Sequence, residues 1–412
     1  MLNMNETAGS SSTCGRDVYI VDCVRTPIGL GRSSGSLNGI HPVTLLSMVL
    51  DNVTSRCNVN KAEVEDVVCG VVTPVKEQGA NIPRLALLKA GYPVNVPGVQ
   101  LNRMCGSSQQ AVHFAAQAIA SGDMDMVVAC GVEMMSVVPM GSDCDPELFQ
   151  VTTNPKEPKF APFPHKLLHQ GVSAELIAEH YKISKKEIDE FSVESHRKAF
   201  EATKKGVFNS QILPIKVNKG DKEFWLKADE GIRYPVDVEK MSQLKPVFKR
   251  DGVISAANAS QISDGAAAVL LCSGEKAKQL GLKPRARIVS RVVVGCDPVM
   301  MLDGVIPATR KVLEKSGLSI SDIDVFEVNE AFASVVLSWK KTFNVPDSKL
   351  NPNGGAIAHG HPLGATGAIL MTKLVNELER SGKRYGLQTM CIGHGAATAT
   401  IIENVNWKSQ KL

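Results

Sequence analysis

No Cys-x-x-Cys pair occurs among the 10 cysteines of this chain, and no short, even spacing suggests a disulfide framework or a zinc knuckle. That excludes a small disulfide-held domain and points to a reduced, intracellular compartment. Cys23, Cys69, Cys130, Cys272 and Cys296 lie in apolar, strand-like surroundings and read as small buried hydrophobes. No apolar run reaches the roughly 18 residues that span a bilayer, so no membrane association is expected. Charge of one sign is also lacking: a net +4 gives no reason to expect nucleic acid, although it suits an anionic substrate. No arginine precedes Arg16, and the Ser/Thr/Asn-rich start reads as a disordered tail rather than a signal or transit peptide. The C-terminal Gln410, Lys411 and Leu412 match a peroxisomal Ser-Lys-Leu signal at two of three positions. The expected location is cytoplasmic, with peroxisomal as the alternative. GLGRSSG at 29–35 lacks the GxGxxG spacing of a dinucleotide loop, and His165 and His169 lack the Glu of HExxH, so neither nucleotide nor metal is expected.

What is present is an internal duplication. With 412 residues the chain is too long for one compact core. One half runs AEVEDVVCGVV, a loop, then LNRMCGSSQQAVHFAAQAIASGDMDMVVACGVEMMS. The other runs SDIDVFEVNEAF, a loop, then NPNGGAIAHGHPLGATGAILMTKLVNELERSGKRYGLQTMCIGHGAATATIIE. Each has a strand after an acidic turn, a small-residue segment opening a helix that closes at Ser-Gly, and an apolar return strand. Alternating strands and helices imply an α/β sandwich of two similar halves. The expected divisions are 16–134 with 263–283, an inserted lobe at 135–262, and 284–412. Residues 146–164 are Pro/Lys/Asn-rich and read as loop. A polar amphipathic helix around SAELIAEHYKISKKEIDEFSVESHRKAFEATKKG follows, in what reads as a separate lobe over the core.

Cys105 sits between a strand-like segment at 96–101 and an Ala-rich helix, with Gly106, Ser107 and Ser108 allowing a tight turn. A thiol at a helix N-terminus feels positive partial charge, which can lower its pKa from roughly 8.5 into a range of about 3.5–7.5. The alternative is a buried structural cysteine. The glycines of NPNGGAIAHGHPLGATG imply close backbone approach to a ligand or another segment. They hold His361 between Gly360 and Pro362, where it can take a thiol proton or donate to an oxyanion. On an extended stretch His359 would point the same way, so geometry leaves the choice open. Cys391 and Gly393 lie where a strand breaks into a turn, and a second thiol there could shuttle a proton to a carbanion. Asn329 and Glu330 open a helix in this reading, with Asn329 either a helix cap or the holder of a water in an oxyanion hole.

These residues resemble the thiolase family, over nearly the whole chain. VRTPIG, LNRMCGSS, CGVEMMS, HQGVSAELIAE, LKPVF, NASQISDGAAA, VNEAFA, NGGAIAHGHPLGATG and CIGHGAATATIIE occur in family order. The resemblance implies two βαβαβαββ halves in a five-layered α/β sandwich with an inserted loop lobe. It also implies acyl transfer through an acyl-cysteine, with acyl-CoA and CoA as partners, CoA as co-substrate, no bound cofactor, and a homodimer or homotetramer. By resemblance Cys105 is the nucleophile, His361 the base with His359 as a flanking residue, and Cys391 the second acid/base. One oxyanion hole uses His361 and a water held by Asn329; the other uses the backbone N–H groups of Cys105 and Gly393. Ser260 matches a CoA-contacting serine, His169 a lobe histidine facing the thioester, and Arg233 an arginine that packs on adenine.

Departures from the family pattern are His394 within a glycine run, Gln170 where short-chain enzymes commonly carry Met, and Gln109 in place of an apolar residue. The expected reaction is CoA-dependent thiolytic cleavage of a 3-ketoacyl-CoA, or the reverse condensation. Rival readings are an acetoacetyl-CoA-forming biosynthetic thiolase, a synthase of related fold, and a catalytically impaired acyl-CoA carrier. VNEAFASVVLSW and MLDG resemble thiolases acting on bulky or long acyl groups, sterol side chains included.

Overall fold

The structure, a computed structural model, describes residues 15–144, 164–219 and 222–407. The N-terminal tail, nearly all of the Pro-rich loop and the C-terminal tripeptide lie outside these residues. The strands are β1 (Val18–Arg25), β2 (Gly29–Leu30), β3 (Asp66–Gly70), β4 (Gly98–Leu101), β5 (Met126–Met134), β6 (Ile215–Lys219), β7 (Lys222–Leu226), β8 (Ser263–Ser273), β9 (Ala286–Gly295), β10 (Val325–Val328), β11 (Tyr385–Ile392) and β12 (Ala396–Asn404). Their pairing order is β10-β11-β12-β9-β1-β8-β5-β3-β4, with β2 against β8 and β6–β7 a separate hairpin.

The duplication is visible in that order. From one edge the strands run β4-β3-β5-β8-β1, and from the other β10-β11-β12-β9, with a parallel bridge from Phe326 to Leu350 standing in for a strand outside β10. The pairing senses agree: β3 is parallel to β4 and β5, as β10 is to β11, and the remaining pairs of each half are antiparallel. The strands of the two halves join where Tyr19 and Ile20 pair with Arg287 and Ala286.

Layering follows from which faces are apolar. Strands β5 and β8 are buried along their whole length, so helices cover both sides. The helices Ser107–Ser121 and Leu363–Ser381 lie between the halves and share one core with Val127, Val269, Val325 and Ile402. Leu363–Ser381 is buried from Leu363 through Leu378, as a helix enclosed on all sides must be. Both central helices end at a left-handed glycine, Gly122 (φ 90°) and Gly382 (φ 63°), which satisfies the last carbonyls without a Cβ clash. Outside, Pro42–Ser55 and Ile82–Lys89 cover the first half, while Val305–Ser316 and Ala333–Phe343 cover the second. This gives the five layers of the sandwich.

The insert differs from its sequence reading in two respects. Its amphipathic stretch forms two helices, Gln170–His180 and Lys185–Lys204. Between them Lys182 takes φ 52°, and Ser184 with Glu187 forms a capping box that starts the second. The insert also does not bury its apolar surface by itself. Ala174, Ile177 and Ile188 pack in the same cluster as Leu302, Val336 and Trp339 of the second half.

Candidate active site

Cys105 ends a tight elbow after β4. Asn102 accepts from the Met104 N–H through Oδ1 (2.7 Å) and donates to the Val72 carbonyl through Nδ2 (2.8 Å). The Ser107 hydroxyl accepts from the Arg103 N–H and donates to the Met104 carbonyl. These bonds hold Met104 at φ 44°, a left-handed conformation costly for a non-glycine residue and common at functional sites. Cys105 thus sits just before Gly106, the N-cap of Ser107–Ser121.

The thiol is not acidic, contrary to the expectation from its helix-start position. Burial, the largest influence, pushes the Cys105 pKa up to about 12, and the Glu133 carboxylate adds to this. Hydrogen bonds from the Cys105 and Gly393 N–H groups oppose the rise without overcoming it. Desolvation of a thiolate in an enclosed site outweighs the partial charge of one helix end. Thiolate formation therefore depends on a base.

His361 lines the same cavity as Cys105. Its Nδ1 lies 2.7 Å from Thr366 Oγ1, whose own proton goes to the Pro362 carbonyl, so Nδ1 carries hydrogen and donates. Nε2 is then the acceptor, taking an N–H from Asn329 Nδ2 at 3.4 Å. Burial lowers the His361 pKa to about 4, so the ring is neutral at physiological pH. The His361 N–H is anchored by the Gln261 carbonyl and the Ser263 hydroxyl, both at 3.1 Å. Thr366 and Gln261, which hold His361 in place, were missed by the sequence reading. Thr366 could have been found from its place in the first turn after His361.

His359 does not share this orientation. Ala356–His359 is a helical turn, not an extended stretch. His359 Nδ1 meets Asp229 Oδ2 at 2.7 Å and Nε2 meets the Asn353 carbonyl at 2.9 Å. Asp229 also holds Arg25 in a buried ion pair. Burial works against a charge on His359, whereas its two acceptors are both satisfied only by the imidazolium. His359 ties β1, the insert and the glycine-rich segment together and offers no nitrogen to a substrate.

Asn329 is not a helix cap: the following helix starts at Ala333 with Phe332 as its N-cap, and Asn329 Oδ1 has no hydrogen-bond partner among the described residues. Cys391, on β11, is fully buried, and its pKa is raised well above the ordinary value by burial and then by nearby Cys105. Gly393 follows in a turn completed by His394 (φ 63°) and Gly395 (φ 82°). The His394 side chain is exposed at the cavity rim. Gln109 is accommodated in the core, donating to the Gln388 carbonyl and Thr400 Oγ1 and accepting from Thr398.

Cys105, His361, Gly393, Ser260 and His169 all line one largely apolar cavity of about 280 Å³. Its apolar wall includes Met104, Met135, Met140, Leu168, Phe248 and Phe332. His169 caps the helix Gln170–His180 by accepting the Gly171 N–H at Nδ1 (3.1 Å) and stacks on Phe248 at 5.0 Å. That bond fixes the proton on Nε2. Cys391 and Asn329 lie behind the wall next to Cys105 and His361 respectively. Arg233 is not brought to the cavity: it is exposed and its N–H donates to His196 Nδ1. Cys23, Cys69, Cys130 and Cys272 are buried as expected, while Cys296 is only half-buried. Among the described residues no group of three or more His, Cys, Asp or Glu is placed to hold a metal.

The protonation pattern makes a pH prediction. The reactive resting form, neutral His361 with a protonated thiol, extends from about pH 4 to about pH 12. Alkylation of Cys105 by iodoacetamide will therefore still be rising at pH 9. A plateau reached by pH 7 contradicts the neutral pair. For stability the sign is fixed by lowered folded-state values at His361 (about 4), His196 (about 4) and His113 (about 3). Their contribution is complete above the unfolded value of about 6.5 and is lost as pH falls towards 4, because the unfolded chain binds the protons first. Urea midpoints at pH 7 and pH 5 measure this fall.

A thiol, an oriented neutral imidazole, a second thiol and two N–H groups beside the first thiol, at an apolar cavity, suit acyl transfer. Comparison with known proteins agrees. The profile of the thiolase N-terminal domain matches residues 18–275 and that of the thiolase C-terminal domain 282–404. A steroid 3-ketoacyl-CoA thiolase, FadA6, of Mycobacterium tuberculosis is 47% identical over 394 residues, covering 94% of each chain. A 3-ketoacyl-CoA thiolase of Idiomarina loihiensis is 43% identical, covering 95% of this chain and all of its own. The crystal structure of a Bacillus anthracis acetyl-CoA acetyltransferase superposes with a TM-score of 0.86 at 37% identity, covering 96% of this chain and 100% of that one. Human mitochondrial 3-ketoacyl-CoA thiolase gives the same TM-score at 33% identity, covering 95% and 99%. The duplicated sandwich, the paired thiols and these matches along almost the whole chain place the protein in the thiolase family of acyltransferases.

Proposed function

We propose that this chain catalyses CoA-dependent thiolytic cleavage of a 3-ketoacyl-CoA to acetyl-CoA and a shortened acyl-CoA. The observation that carries this reading is His361, whose Thr366 bond leaves Nε2 as the unprotonated nitrogen of a ring lining the cavity that also holds Cys105. His361 Nε2 takes the Cys105 proton as the sulfur attacks the 3-keto carbon. The C2–C3 bond breaks and leaves the acyl group on sulfur. The acetyl-CoA carbanion takes a proton from Cys391, while its oxygen is held by the new His361 Nε2–H and a water on Asn329. CoA gives its proton to the Cys391 thiolate and attacks the acyl-cysteine, whose oxyanion lies against the Cys105 and Gly393 N–H groups, and the Cys105 sulfur leaves with the proton held on His361. Condensation reverses these steps.

Ser260 and the Nε2–H of His169 are assigned to the CoA side of the cavity. Arg233 is kept only as an outer contact for adenine. The halves are taken as 16–134 with 263–283 and 284–412, with 135–262 as the substrate lobe. The Met-rich wall and the printed name of the mycobacterial relative favour a bulky acyl group over acetoacetyl alone, since methionine adapts to irregular apolar shapes. A homodimer is assigned through the sheet edge, where β4 is unpaired on one side and Leu85, Leu88, Val94, Val99 and Phe114 are exposed. The cytoplasm is the assigned location, in keeping with scattered cysteines that form no Cys-x-x-Cys pair. Loss of ketoacyl absorbance on mixing acetoacetyl-CoA and larger 3-ketoacyl-CoAs with CoA tests the reading. Turnover that rises with acyl size supports it, and no cleavage of any of them sinks it.

The two histidines give a contrast within this mechanism. His361→Ala removes the base and an oxyanion donor in one side chain. Such a donor alone is worth about 10²–10³ in rate, and general-base action about 10²–10⁴. The two are not simply additive. His359→Leu removes no group from the cavity but strips Asp229 of a buried hydrogen-bond partner while leaving it paired with Arg25, a loss of about 1–3 kcal/mol. It should lower the melting temperature while keeping kcat near wild type at low temperature. Kinetics and thermal melts of both variants decide the matter; a larger kcat loss in His359→Leu reverses the roles.

A further inference from the structure

Gln170 is the first residue of the helix Gln170–His180, half-buried, on the wall of the cavity that holds Cys105. Its carboxamide makes no hydrogen bond to any described residue. Helix geometry does not require this residue type, because the capping there is done by His169. The amide is nevertheless aimed at one spot. A Cβ built on Gly393 would lie 2.6 Å from Gln170 Nε2 and 2.6 Å from Met104 Sδ. From such a Cβ the Gly393 nitrogen is about 2.5 Å away by standard bond geometry, so the two N–H donors lie within about 5 Å of each other. Donors that each sit about 2.9 Å from one oxygen are separated by up to about 5.8 Å. The Gln170 and Gly393 N–H groups can therefore meet on a single acyl oxygen.

We infer that Gln170 is a further catalytic residue, its side-chain amide donating to the oxyanion formed at the carbon bonded to Cys105. This rests on the thiolase reading above and extends it. The oxygen of the 3-keto group and that of the acyl-cysteine are the same atom, so the amide acts both when Cys105 attacks and when CoA attacks. It takes no part in enolate formation at C2 of acetyl-CoA, which in the proposed mechanism uses Cys391, His361 and Asn329. A methionine here would fill the space without donating. A glutamine stabilises developing negative charge, and a glutamate would repel it.

The test compares Gln170→Met and Gln170→Glu by two readouts. One is the single-turnover rate of acyl transfer from Cys105 to CoA. The other is deuterium exchange at the methyl group of acetyl-CoA, which reports enolate formation alone and shows that the variant is folded. Loss of one oxyanion donor commonly costs about 10²–10³. With the Cys105 and Gly393 N–H groups retained, Gln170→Met should slow acyl transfer about 10-fold and Gln170→Glu about 100-fold. Exchange should stay within about 2-fold of wild type in both. Acyl transfer at the wild-type rate in both variants, or an equal fall in transfer and exchange, overturns the role. Wild-type protein that cleaves no 3-ketoacyl-CoA would instead sink the thiolase reading itself.

Discussion

Cys105→Ala will reduce thiolysis to background and abolish acyl labelling of the protein. Removal of the nucleophile from a covalent enzyme has cost on the order of 10⁶ in kcat, and no other thiol here can replace Cys105. Cys391 is sealed behind the wall with its pKa raised well above the ordinary value, and it lies at the end of a strand rather than at a helix start. Cys105→Ser should be nearly as inactive, because a hydroxyl is harder to deprotonate than even this raised thiol. The fold should survive: the side chain is small, and the elbow is held by Asn102 and Ser107 rather than by the sulfur. Steady-state kinetics with an unchanged melting temperature check this. Residual turnover above about one part in 10³ would mean that another group carries the acyl chain.

Cys391→Ala will separate the two half-reactions. Acylation of Cys105 from a simple acyl-CoA needs only the nucleophile, His361 and the N–H groups around the sulfur. Carbon–carbon cleavage also needs a proton at C2, and the second thiol is the group beside Cys105 able to supply it. The variant should label at Cys105 at a rate near wild type. It should lose cleavage of 3-ketoacyl-CoA by at least the roughly 10²–10⁴ attributed to a positioned general acid. Its raised pKa fits an acid rather than a nucleophile, since it keeps its proton until a strongly basic carbanion forms beside it. Rapid-quench labelling and cleavage assays on the same preparation give both numbers. Equal loss in both would remove the division of labour between the two thiols.

The duplication, the α/β sandwich and the helices flanking Cys105 and His361 were legible because they rest on local patterns, whereas the five layers came with the family resemblance. Strand-helix alternation and Ser-Gly helix ends repeat in both halves, and Gly122 and Gly382 do take the left-handed cap. The acidity of Cys105 was misjudged because a helix-end argument sees one neighbour, whereas desolvation sums over everything that encloses the thiol. The orientation of His359 was out of reach for a related reason. Its partner Asp229 and the Arg25 that Asp229 holds lie 130 and 334 residues away in sequence, and the helical turn at Ala356–His359 runs through a glycine-rich stretch that hides any helical period. The insert looked separable because its polar face dominates the pattern, while the few apolar residues that fix it, such as Ile177 and Ile188, find their partners only in the second half. Arg233 was placed by motif alone, and the exposed turn around it holds it away from the cavity.

The central claim is an acyl-enzyme on Cys105 formed by breaking a carbon–carbon bond. Mixing the wild-type protein with a 3-ketoacyl-CoA in the absence of free CoA, quenching within the first turnover and mapping peptides by mass spectrometry tests it directly. The account predicts one shortened acyl group on the peptide carrying Cys105 and one equivalent of acetyl-CoA released with it. An adduct confined to the Cys391 peptide, or acetyl-CoA released with no adduct on the protein, would contradict it.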